Sequence, residues 1–316
     1  MRFYSLLAAA KINLYLEIIG DRPDGFHELA MVMQSIDLAD RVDLRLIGTD
    51  TILVHCDHPE VPADRRNLAY RAAELMANQF PDAFARLGGV EITVRKNIPV
   101  GAGLAGGSTN AAAVLVGLDL LWQLGLTQPE LQDLGAQLGS DIPFCVSGGT
   151  ALATGRGEFL DPLPDLDGAF VVLAKYRSLS ISTAWAYQTY RQQFGTAYVS
   201  SHEGIRERRS QVRSGAMMAA IAQRHPAQIA QHLYNDLERV ALPQYPQIQH
   251  LKEQFQSRGV LGTMMSGSGP TVFALVDSEA EAQRVRNEMR MALPDPDLEL
   301  WVAKFTTTSI KINEPA

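Results

Sequence analysis

The sequence contains few cysteines: only Cys56 and Cys145 occur among its 316 residues. They lie far apart in apolar or strand-like segments, so a disulfide framework is not predicted and a reducing compartment fits better. Basic residues are also in the minority, because 28 Lys and Arg stand against 35 Asp and Glu, which gives a net charge of −7. This balance argues against a nucleic-acid-binding surface, which usually shows a basic excess.

Long apolar runs are missing as well. None approaches the length of about 18 residues that spans a bilayer, so we expect no membrane partner. The first residues, MRFYSLLAAA, resemble a signal peptide superficially. Because Lys11 follows directly and the segment continues as a strand, we expect a cytoplasmic protein instead.

The length and composition predict two domains. A chain of 316 residues exceeds the usual single-domain size, and its 46% hydrophobic content is ample for a core. The composition shifts to Gly, Pro and Asp around residues 155–165. We therefore expect domains at 1–155 and 156–316, with the boundary in this exposed type of segment.

The amino-terminal region is predicted to form strands. Residues 11–18 alternate, which predicts one apolar and one polar face. The apolar face would hold Ile12, Leu14, Leu16 and Ile18, and the polar face Lys11, Asn13, Tyr15 and Glu17. RPDG at 22–25 is a turn signal directly before Phe26 and His27. The strand-like stretches MVMQSIDL and RVDLRLI follow, so we expect a β-meander here.

Helix signals follow at several places. Asn67 is well placed to cap a helix in NLAYRAAELMANQF, and Ser108 to cap the alanine-rich helix STNAAAVLVGLDLLWQL. Near the carboxy-terminal end, GVLGTMMSGSGPTVFALV predicts strand, glycine turn and strand. The polar stretch 196–214 carries several arginines: Arg206, Arg208, Arg209 and Arg213. A solvated loop or helix face is favoured there over a ligand-binding patch, because charge runs are usually exposed.

The segment PVGAGLAGGSTNAA, residues 99–112, is rich in glycine and has no charged side chain. Gly101, Gly103 and Gly106 match the dinucleotide fingerprint G-x-G-x-x-G, but the chain enters a second helix where that fingerprint needs a strand. Residues 101–108 also fit a P-loop with Gly107 in the lysine position. Backbone N–H groups and a helix N-terminus would then hold the phosphates. The alternative is a tight strand-to-helix turn.

The sequence resembles the GHMP kinases over nearly the whole chain. The resemblance is carried by this loop together with three other stretches, AAAKINLYLEIIGDRPDGFHEL, GSDIPF and MSGSGPTVFAL. The resemblance implies an α+β fold of two domains. The amino-terminal domain would be of the ribosomal protein S5 domain 2 type and would hold the loop, and the carboxy-terminal one would be ferredoxin-like. The active site would lie in the cleft between them.

The resemblance is to a family member whose acceptor is a cytidine diphosphate conjugate of methylerythritol. It implies transfer of the γ-phosphoryl of ATP to the 2-hydroxyl, with Mg²⁺ and with no metal ligand assigned. Asp141 would be the general base, and Lys11 would hold it ionised and steady the phosphoryl group. Spacing alone leaves Asp141 equally open as a helix N-cap, and a lone strand lysine is more often solvated.

The resemblance also implies substrate-binding residues, namely Asn13, Phe26, His27 and Tyr187. His27 matches the position that reads the cytosine edge, and Phe26 stands where relatives often have tyrosine, with the ring kept for stacking. Tyr187 aligns best as the opposing aromatic and Trp185 is the second choice. Taken singly, each of these residues also fits an ordinary core or surface position.

On the ATP side, Asn67 and Lys96 match positions near the adenine or its ribose; a helix cap and a solvated strand end are the alternatives. The loop would wrap the phosphates through Pro99, Val100, Gly101, Ala102, Gly103, Leu104, Ala105, Gly106, Gly107, Ser108 and Thr109. Ser108 would reach Mg²⁺ or a phosphate oxygen. Residues 265–271 would place backbone amides beside the acceptor, or form a turn beneath the loop.

Two other functions stay open: a GHMP kinase acting on another small alcohol, and a nucleotide sensor of the same fold without catalysis. Retention of both Lys11 and Asp141 argues against the sensor. We expect a small-molecule substrate and a monomer or homodimer.

Overall fold

The structure is a computed structural model that describes residues 3–313. In this range the strands are β1 (Phe3–Asp21), β2 (His27–Leu46), β3 (Ile52–Cys56), β4 (Val90–Arg95), β5 (Thr150–Gly155), β6 (Phe159–Pro162), β7 (Phe170–Tyr176), β8 (Tyr234–Asn235), β9 (Gly262–Met265), β10 (Val272–Val276), β11 (Leu298–Lys304) and β12 (Ile310–Ile312). The helices are α1 (Leu68–Gln79), α2 (Pro81–Leu87), α3 (Gly106–Trp122), α4 (Gln128–Ala136), α5 (Ile142–Ser147), α6 (Thr183–Phe194), α7 (His202–Arg213), α8 (Ala216–Ala222), α9 (Pro226–Gln231), α10 (Glu238–Gln244), α11 (Pro246–Gln256) and α12 (Glu279–Ala292). None of the helices within 3–313 is long and apolar enough to cross a membrane.

The first sheet is built on the long antiparallel pair β1 and β2. Its order is β12-β1-β2-β4-β3, with β5 on the far part of β2, β6 on β5, and β8 parallel to β1. The predicted turn is confirmed, since Arg22 N donates to Phe26 O at 2.9 Å and Gly25 N to Arg22 O at 3.1 Å. At the edge, Leu6 and Ala8 pair with Ile312 and Ile310 of β12.

The predicted β-meander is wrong. MVMQSIDL and RVDLRLI lie in one strand, β2, because β1 is long enough to pair with both stretches past a bulge near residues 37–38. The next strand, β3, does not lie beside β2. Instead β4 lies between them and runs parallel to β3, since α1 and α2 carry the chain back before β4 begins.

The prediction of one apolar face along residues 11–18 is also wrong. The register with β2 shifts between Asn13 and Tyr15, so Leu14 is an extra residue that changes the alternation by one. Ile12 and Leu14 pack into the core between the two sheets, whereas Leu16 packs into a different cluster. Leu16 consequently lines the same cleft as Lys11 and Asn13.

The second sheet is antiparallel, with the order β11-β7-β10-β9. The predicted strand, turn and strand near residue 265 are confirmed as β9 and β10. Both faces of this sheet are buried: Leu173 and Phe273 pack towards the first sheet, and Val172 packs in the cluster that contains α11 and α12. The predicted α+β fold is confirmed. The division at 155 and 156 stays a prediction, and β8 and β12 return to the first sheet from beyond it.

Candidate active site

A cleft of about 780 Å³ opens beside the start of α3. Its walls come from β1, the turn before β2, the glycine-rich loop, the residues before α5, the start of α6, and the turn between β9 and β10. The cleft brings together nearly all of the predicted site residues: Lys11, Asn13, Phe26, His27, Asn67, Lys96, residues 99–108, Asp141 and Tyr187. Segments distant in sequence therefore meet at one site.

Lys11 and Asp141 face each other in this cleft. Lys11 Nζ donates to Asn13 Oδ1 at 2.7 Å and lies 3.6 Å from Asp141 Oδ2. Lys11 is 5% exposed, so it is not the solvated lysine of the alternative interpretation. Asp141 does occupy the N-cap position of α5, but its side chain accepts no capping hydrogen bond. The carboxylate is therefore directed to Lys11 rather than to the helix.

The turn between β9 and β10 lies close to Lys11 and Asn13. A Cβ built on Gly267 would lie 3.2 Å from Asn13 Oδ1 and 3.6 Å from Lys11 Nζ, and Gly267 has a φ of +56°. Asn235 Nδ2 donates to the carbonyl oxygens of Met265 and Gly267, each at 2.8 Å, and fixes the turn from below. Gly267 thus lies beside Lys11 and Asn13.

The same turn holds the glycine-rich loop. Ser266 Oγ donates to Gly103 O at 3.1 Å. Gly103 has a φ of +73°, and a Cβ there would come 2.3 Å from Ser266 O, so only glycine fits without displacement. The interpretation of residues 265–271 as a turn packed against the loop is therefore confirmed, and their place beside the acceptor stays a prediction.

The prediction that Ser108 caps α3 is wrong. The helix begins at Gly106, and its N-cap is Ala105, which has a φ of 59° and makes no side-chain cap. Ser108 lies in the first turn and lines the cleft. Because a capping side chain would occupy the free N–H groups of this turn, its absence leaves those donors to an anionic ligand.

Lys96 supplies a cation beneath this helix start. Its Nζ pairs with Asp40, a fully buried carboxylate that also accepts from Asn110 Nδ2 at 2.8 Å and from Ile98 N at 2.8 Å. A Cβ on Gly106 would lie 3.0 Å from Lys96 Nζ. The interpretation of Lys96 as a solvated strand end is therefore wrong, because its side chain is buried in an ion pair.

Asn67 and Thr109 are tied to the protein itself. Asn67 caps α1, as one of its two interpretations predicted: its Oδ1 accepts from Ala69 N at 2.9 Å and its Nδ2 donates to Pro62 O at 2.7 Å. Thr109 is fully buried, with its Oγ1 3.4 Å from Ser309 Oγ, and is not among the residues that line the cleft. Its side chain therefore faces away from the loop's ligand.

His27 and two tyrosines form the other end of the cleft. The His27 ring lies 5.1 Å from Tyr187 and 5.8 Å, edge-on, from Tyr198. Its Nε2 has no hydrogen-bond partner among residues 3–313 and lies 3.7 Å from Asp21 Oδ1. Burial lowers the pKa of His27 below its ordinary value of 6.5, and Arg191 lowers it further against a smaller opposing effect of Asp21. The imidazole is therefore held neutral near pH 7.

The aromatic residues here differ in exposure. Phe26 is 51% exposed, and the Arg156 guanidinium lies 4.9 Å from its ring centroid. Tyr187 lines the cleft, whereas Trp185 packs edge-on against Tyr245 at 5.4 Å and is not part of the lining. Between the two aromatic candidates on α6, the structure thus places only Tyr187 at the site.

The sequence of this chain is similar to those of known kinases. Residues 67–149 match the family described as GHMP kinases N terminal domain, and residues 217–295 match GHMP kinases C terminal. A "4-diphosphocytidyl-2-C-methyl-D-erythritol kinase" of Nostoc punctiforme is 65% identical over 313 residues, which cover 99% of each chain. The chain belongs to the 4-diphosphocytidyl-2-C-methyl-D-erythritol kinase family. It is therefore a kinase with ATP as phosphoryl donor, which confirms the predicted family.

Solved structures agree with membership of this kinase family. A crystal structure of 4-(cytidine 5'-diphospho)-2C-methyl-D-erythritol kinase superimposes with a TM-score of 0.72 at 30% identity, covering 95% of this chain and 98% of the other. A homoserine kinase from Cytophaga hutchinsonii gives a TM-score of 0.77 at 17% identity, covering 99% and 98%. The second likeness concerns the fold alone.

The structure adds cleft residues of this kinase that the sequence did not indicate. They are Thr183, Arg156 and Arg191. Thr183 Oγ1 lies 2.9 Å from Ser268 Oγ, which links the start of α6 to the β9–β10 turn. Arg191 Nε donates to Asp21 Oδ1 at 2.8 Å. The only available signal was that Thr183 and Arg191 lie four residues to either side of Tyr187, the spacing of one helical face.

Proposed function

We propose that this protein transfers the γ-phosphoryl of ATP to the 2-hydroxyl of 4-diphosphocytidyl-2-C-methyl-D-erythritol, giving the 2-phosphate and ADP. The reaction belongs to the non-mevalonate route to isoprenoid precursors. The observation that carries the proposal is the Lys11 and Asp141 pair, which lies in one cleft with a phosphate-type loop and an aromatic pocket. A loop, an acid–base pair and a base-sized pocket are the parts that this transfer needs.

Asp141 acts as the general base. Its carboxylate is 32% exposed and makes no cap, so it is free to accept the proton of the acceptor hydroxyl. Such a base contributes about 10²–10⁴-fold to the rate. Because the 2-hydroxyl is tertiary and crowded, its alignment with Asp141 matters more than its strength as a nucleophile.

Lys11 orients that carboxylate and stabilises the transferring phosphoryl group. Its ammonium lies 3.6 Å from Asp141 and is oriented by Asn13. An ammonium with few water contacts attracts an anion more strongly than a solvated one does. Asn13 thus positions Lys11 and lines the cleft as a substrate-binding residue.

The glycine-rich loop binds the phosphates through its backbone. The uncapped first turn of α3 supplies N–H donors and the positive end of the helix dipole. No group of three His, Cys, Asp or Glu within residues 3–313 forms a metal site. This suits Mg²⁺, which keeps several waters and takes its ligands mainly from substrate phosphates, with Ser108 as the protein hydroxyl at hand. When bound, Mg²⁺ neutralises charge on those phosphates.

His27, Phe26 and Tyr187 bind the cytosine. A neutral imidazole offers one donor and one acceptor, which match the pyrimidine edge, and burial keeps His27 neutral. Its buried Nε2 is unpartnered within the described chain and so is available to a ligand. The Phe26 and Tyr187 rings provide stacking faces, worth about 1–3 kcal/mol per base. A cytoplasmic location and a monomeric or dimeric state stay predictions.

The first experiment is a phosphorus-31 spectrum of the protein with Mg²⁺, ATP and the cytidine diphosphate conjugate. We expect a new phosphomonoester signal together with ADP. Asp141→Asn should bind ATP normally and lose about 10²–10⁴-fold in kcat. Asp133→Asn, which alters an exposed carboxylate on α4, is the matched control and should keep the wild-type rate.

The alternatives give different spectra. Phosphorylation of galactose, homoserine or mevalonate without that of the conjugate would identify a kinase of another small alcohol. Intact ATP with every acceptor would favour the sensor.

A further inference from the structure

The stretch between α6 and α7 crosses β1 closely. Val199 N donates to Ile19 O at 2.9 Å. A Cβ built on Gly20 would lie 2.4 Å from Val199 O, so the crossing requires glycine at this point of β1. The neighbouring Tyr198 places its ring edge-on against His27 at 5.8 Å. We call residues 195–213 the brace, and we call the end of the cleft formed by Phe26, His27 and Tyr187 the pyrimidine end. The brace therefore contacts the pyrimidine end through Tyr198.

The brace makes its second contact through Glu28. This carboxylate is 3% exposed. Its Oε1 accepts from Arg209 Nε of α7 at 2.9 Å and from Gly155 N at 3.1 Å, and its Oε2 accepts from Arg22 Nη1 at 3.1 Å. The predicted solvated face of α7 is thus wrong for Arg209, which pairs with a buried acid.

The Glu28 cluster continues into the turn that carries Phe26. Arg22 also donates from Nε to Asp24 Oδ2 at 3.1 Å, and Asp24 Oδ1 accepts from Phe26 N at 3.1 Å. An unbroken chain of hydrogen bonds therefore runs from Arg209 through Glu28, Arg22 and Asp24 to the backbone of Phe26. Networks of this kind hold their members in one geometry when every group is paired.

Glu28 follows His27 in β2, so their side chains leave the strand on opposite faces. His27 is directed into the cleft, and Glu28 is directed to α7. A buried carboxylate that loses one of its two cations is left undercompensated, and the surrounding backbone moves to solvate it. Any such movement of residue 28 displaces the ring of residue 27.

We propose that the brace fixes His27 for the pyrimidine, with Arg209 as a positioning residue that acts through Glu28. The inference rests on the proposed function, in which His27 reads the cytosine. The brace would serve the nucleoside end of the acceptor. Within residues 3–313, no hydrogen bond or ion pair joins the brace to the glycine-rich loop. Its effect is therefore specific to one of the two substrates.

The test compares Arg209→Gln with Arg206→Gln on the same helix. Arg206 is exposed and forms no ion pair within residues 3–313, so its variant is the matched control. For Arg209→Gln we expect the KM for the cytidine conjugate to rise about tenfold, with the KM for ATP unchanged and kcat little altered. Arg209→Lys, which keeps a cation but not the fork of donors, should recover part of the loss.

If Arg209→Gln causes only a general structural defect, it will change both KM values or only the melting temperature. Either result contradicts the proposed role of the brace. His27→Ala is measured alongside. If His27→Ala raises the KM for the conjugate and Arg209→Gln does not, the brace alone is wrong; if neither does, the assignment of His27 is wrong as well. Should Arg209→Gln fail to fold, Tyr198→Leu, which removes the ring contact without touching Glu28, must raise the same KM or the brace is rejected.

Discussion

The two ends of the cleft are built differently. The glycine-rich loop is shaped by its own backbone, with positive φ at Gly101, Gly103 and Ala105 and a close contact to the β9–β10 turn. The turn at residues 21–28 is shaped by charged side chains from α6 and α7, which lie 170 and 181 residues away in sequence. A phosphate is recognised by N–H groups that any residue supplies, whereas a base edge needs particular side chains at fixed positions.

This difference teaches how each end tolerates change. Within the loop itself, side chains contribute little, so added atoms are expected to disturb its shape; the helix start also depends on the buried Lys96–Asp40 pair beneath it. At the pyrimidine end, buried charges depend on their partners, so damage comes from removing atoms. The three variants below probe the two ends separately.

The largest effect on the kinetics among the three is expected from Gly103→Ala. The new Cβ would come 2.3 Å from Ser266 O at a φ of +73°, so the loop must move. Displacement of phosphate-binding groups by about 1 Å costs on the order of 10²-fold, which should appear in kcat/KM for ATP. Gly125→Ala is the control, because its φ is +71° but no atom lies within 4 Å of the new Cβ. Wild-type kinetics for Gly103→Ala would show that close packing does not set the loop's shape.

Lys96→Met tests the buried ion pair between Lys96 and Asp40 beneath the loop. It leaves the fully buried carboxylate of Asp40 without its cation, which should lower the free energy of unfolding by about 3–5 kcal/mol. Arg66→Met, which removes the partner of the exposed Asp64, should leave that free energy unchanged within error. Urea denaturation measures both. Equal stability of the two variants would contradict a structural role for Lys96.

The smallest effect concerns pH at the pyrimidine end. Because the pKa of His27 is lowered in the folded protein, the unfolded chain binds the proton first as pH falls below about 6.5. The contribution of the neutral His27 to the free energy of unfolding is therefore complete above that pH. It is lost as the pH falls through the pKa of His27 in the folded protein. Protonation also removes the acceptor nitrogen, so the KM for the conjugate should rise about 2–10-fold at acid pH. Unfolding free energy and the KM for the conjugate are measured between pH 7 and acid pH, and His27→Gln should abolish the pH dependence of both. If the two pH profiles of the wild-type protein match those of His27→Gln, His27 does not titrate in this range.

The loop end could largely be predicted from sequence. Its glycines, the preceding strand and the following apolar helix are contiguous, and Lys11 with Asn13 follows from strand alternation. The start of α3 could not, because the search for a capping side chain selected Ser108, whereas the helix begins at Gly106 after a left-handed Ala105. A helix start without a capping side chain keeps its N–H donors free for an anion, so a rule that looks for a cap fails at such a start.

The pyrimidine end could be predicted only in part. The turn at 22–25 and the two residues after it were visible as local signals. The pairing of Arg209 with Glu28 was not, because a run of arginines looks the same whether its partners are water or a distant buried carboxylate. The bulge at Leu14 could not be predicted either. Polar and apolar residues alternate without a break from Lys11 to Ile18, so the sequence carries no sign of an extra residue.

The pairing of β12 with β1 has a consequence for synthesis of the chain. Leu6 and Ala8 are made roughly 300 residues before their partners Ile312 and Ile310. At a translation rate of about 5–20 residues per second, β12 is synthesised about 15–60 s after β1, and this edge of β1 is unpaired until then. During this interval the nascent protein carries an open strand edge, to which another chain or a chaperone can add.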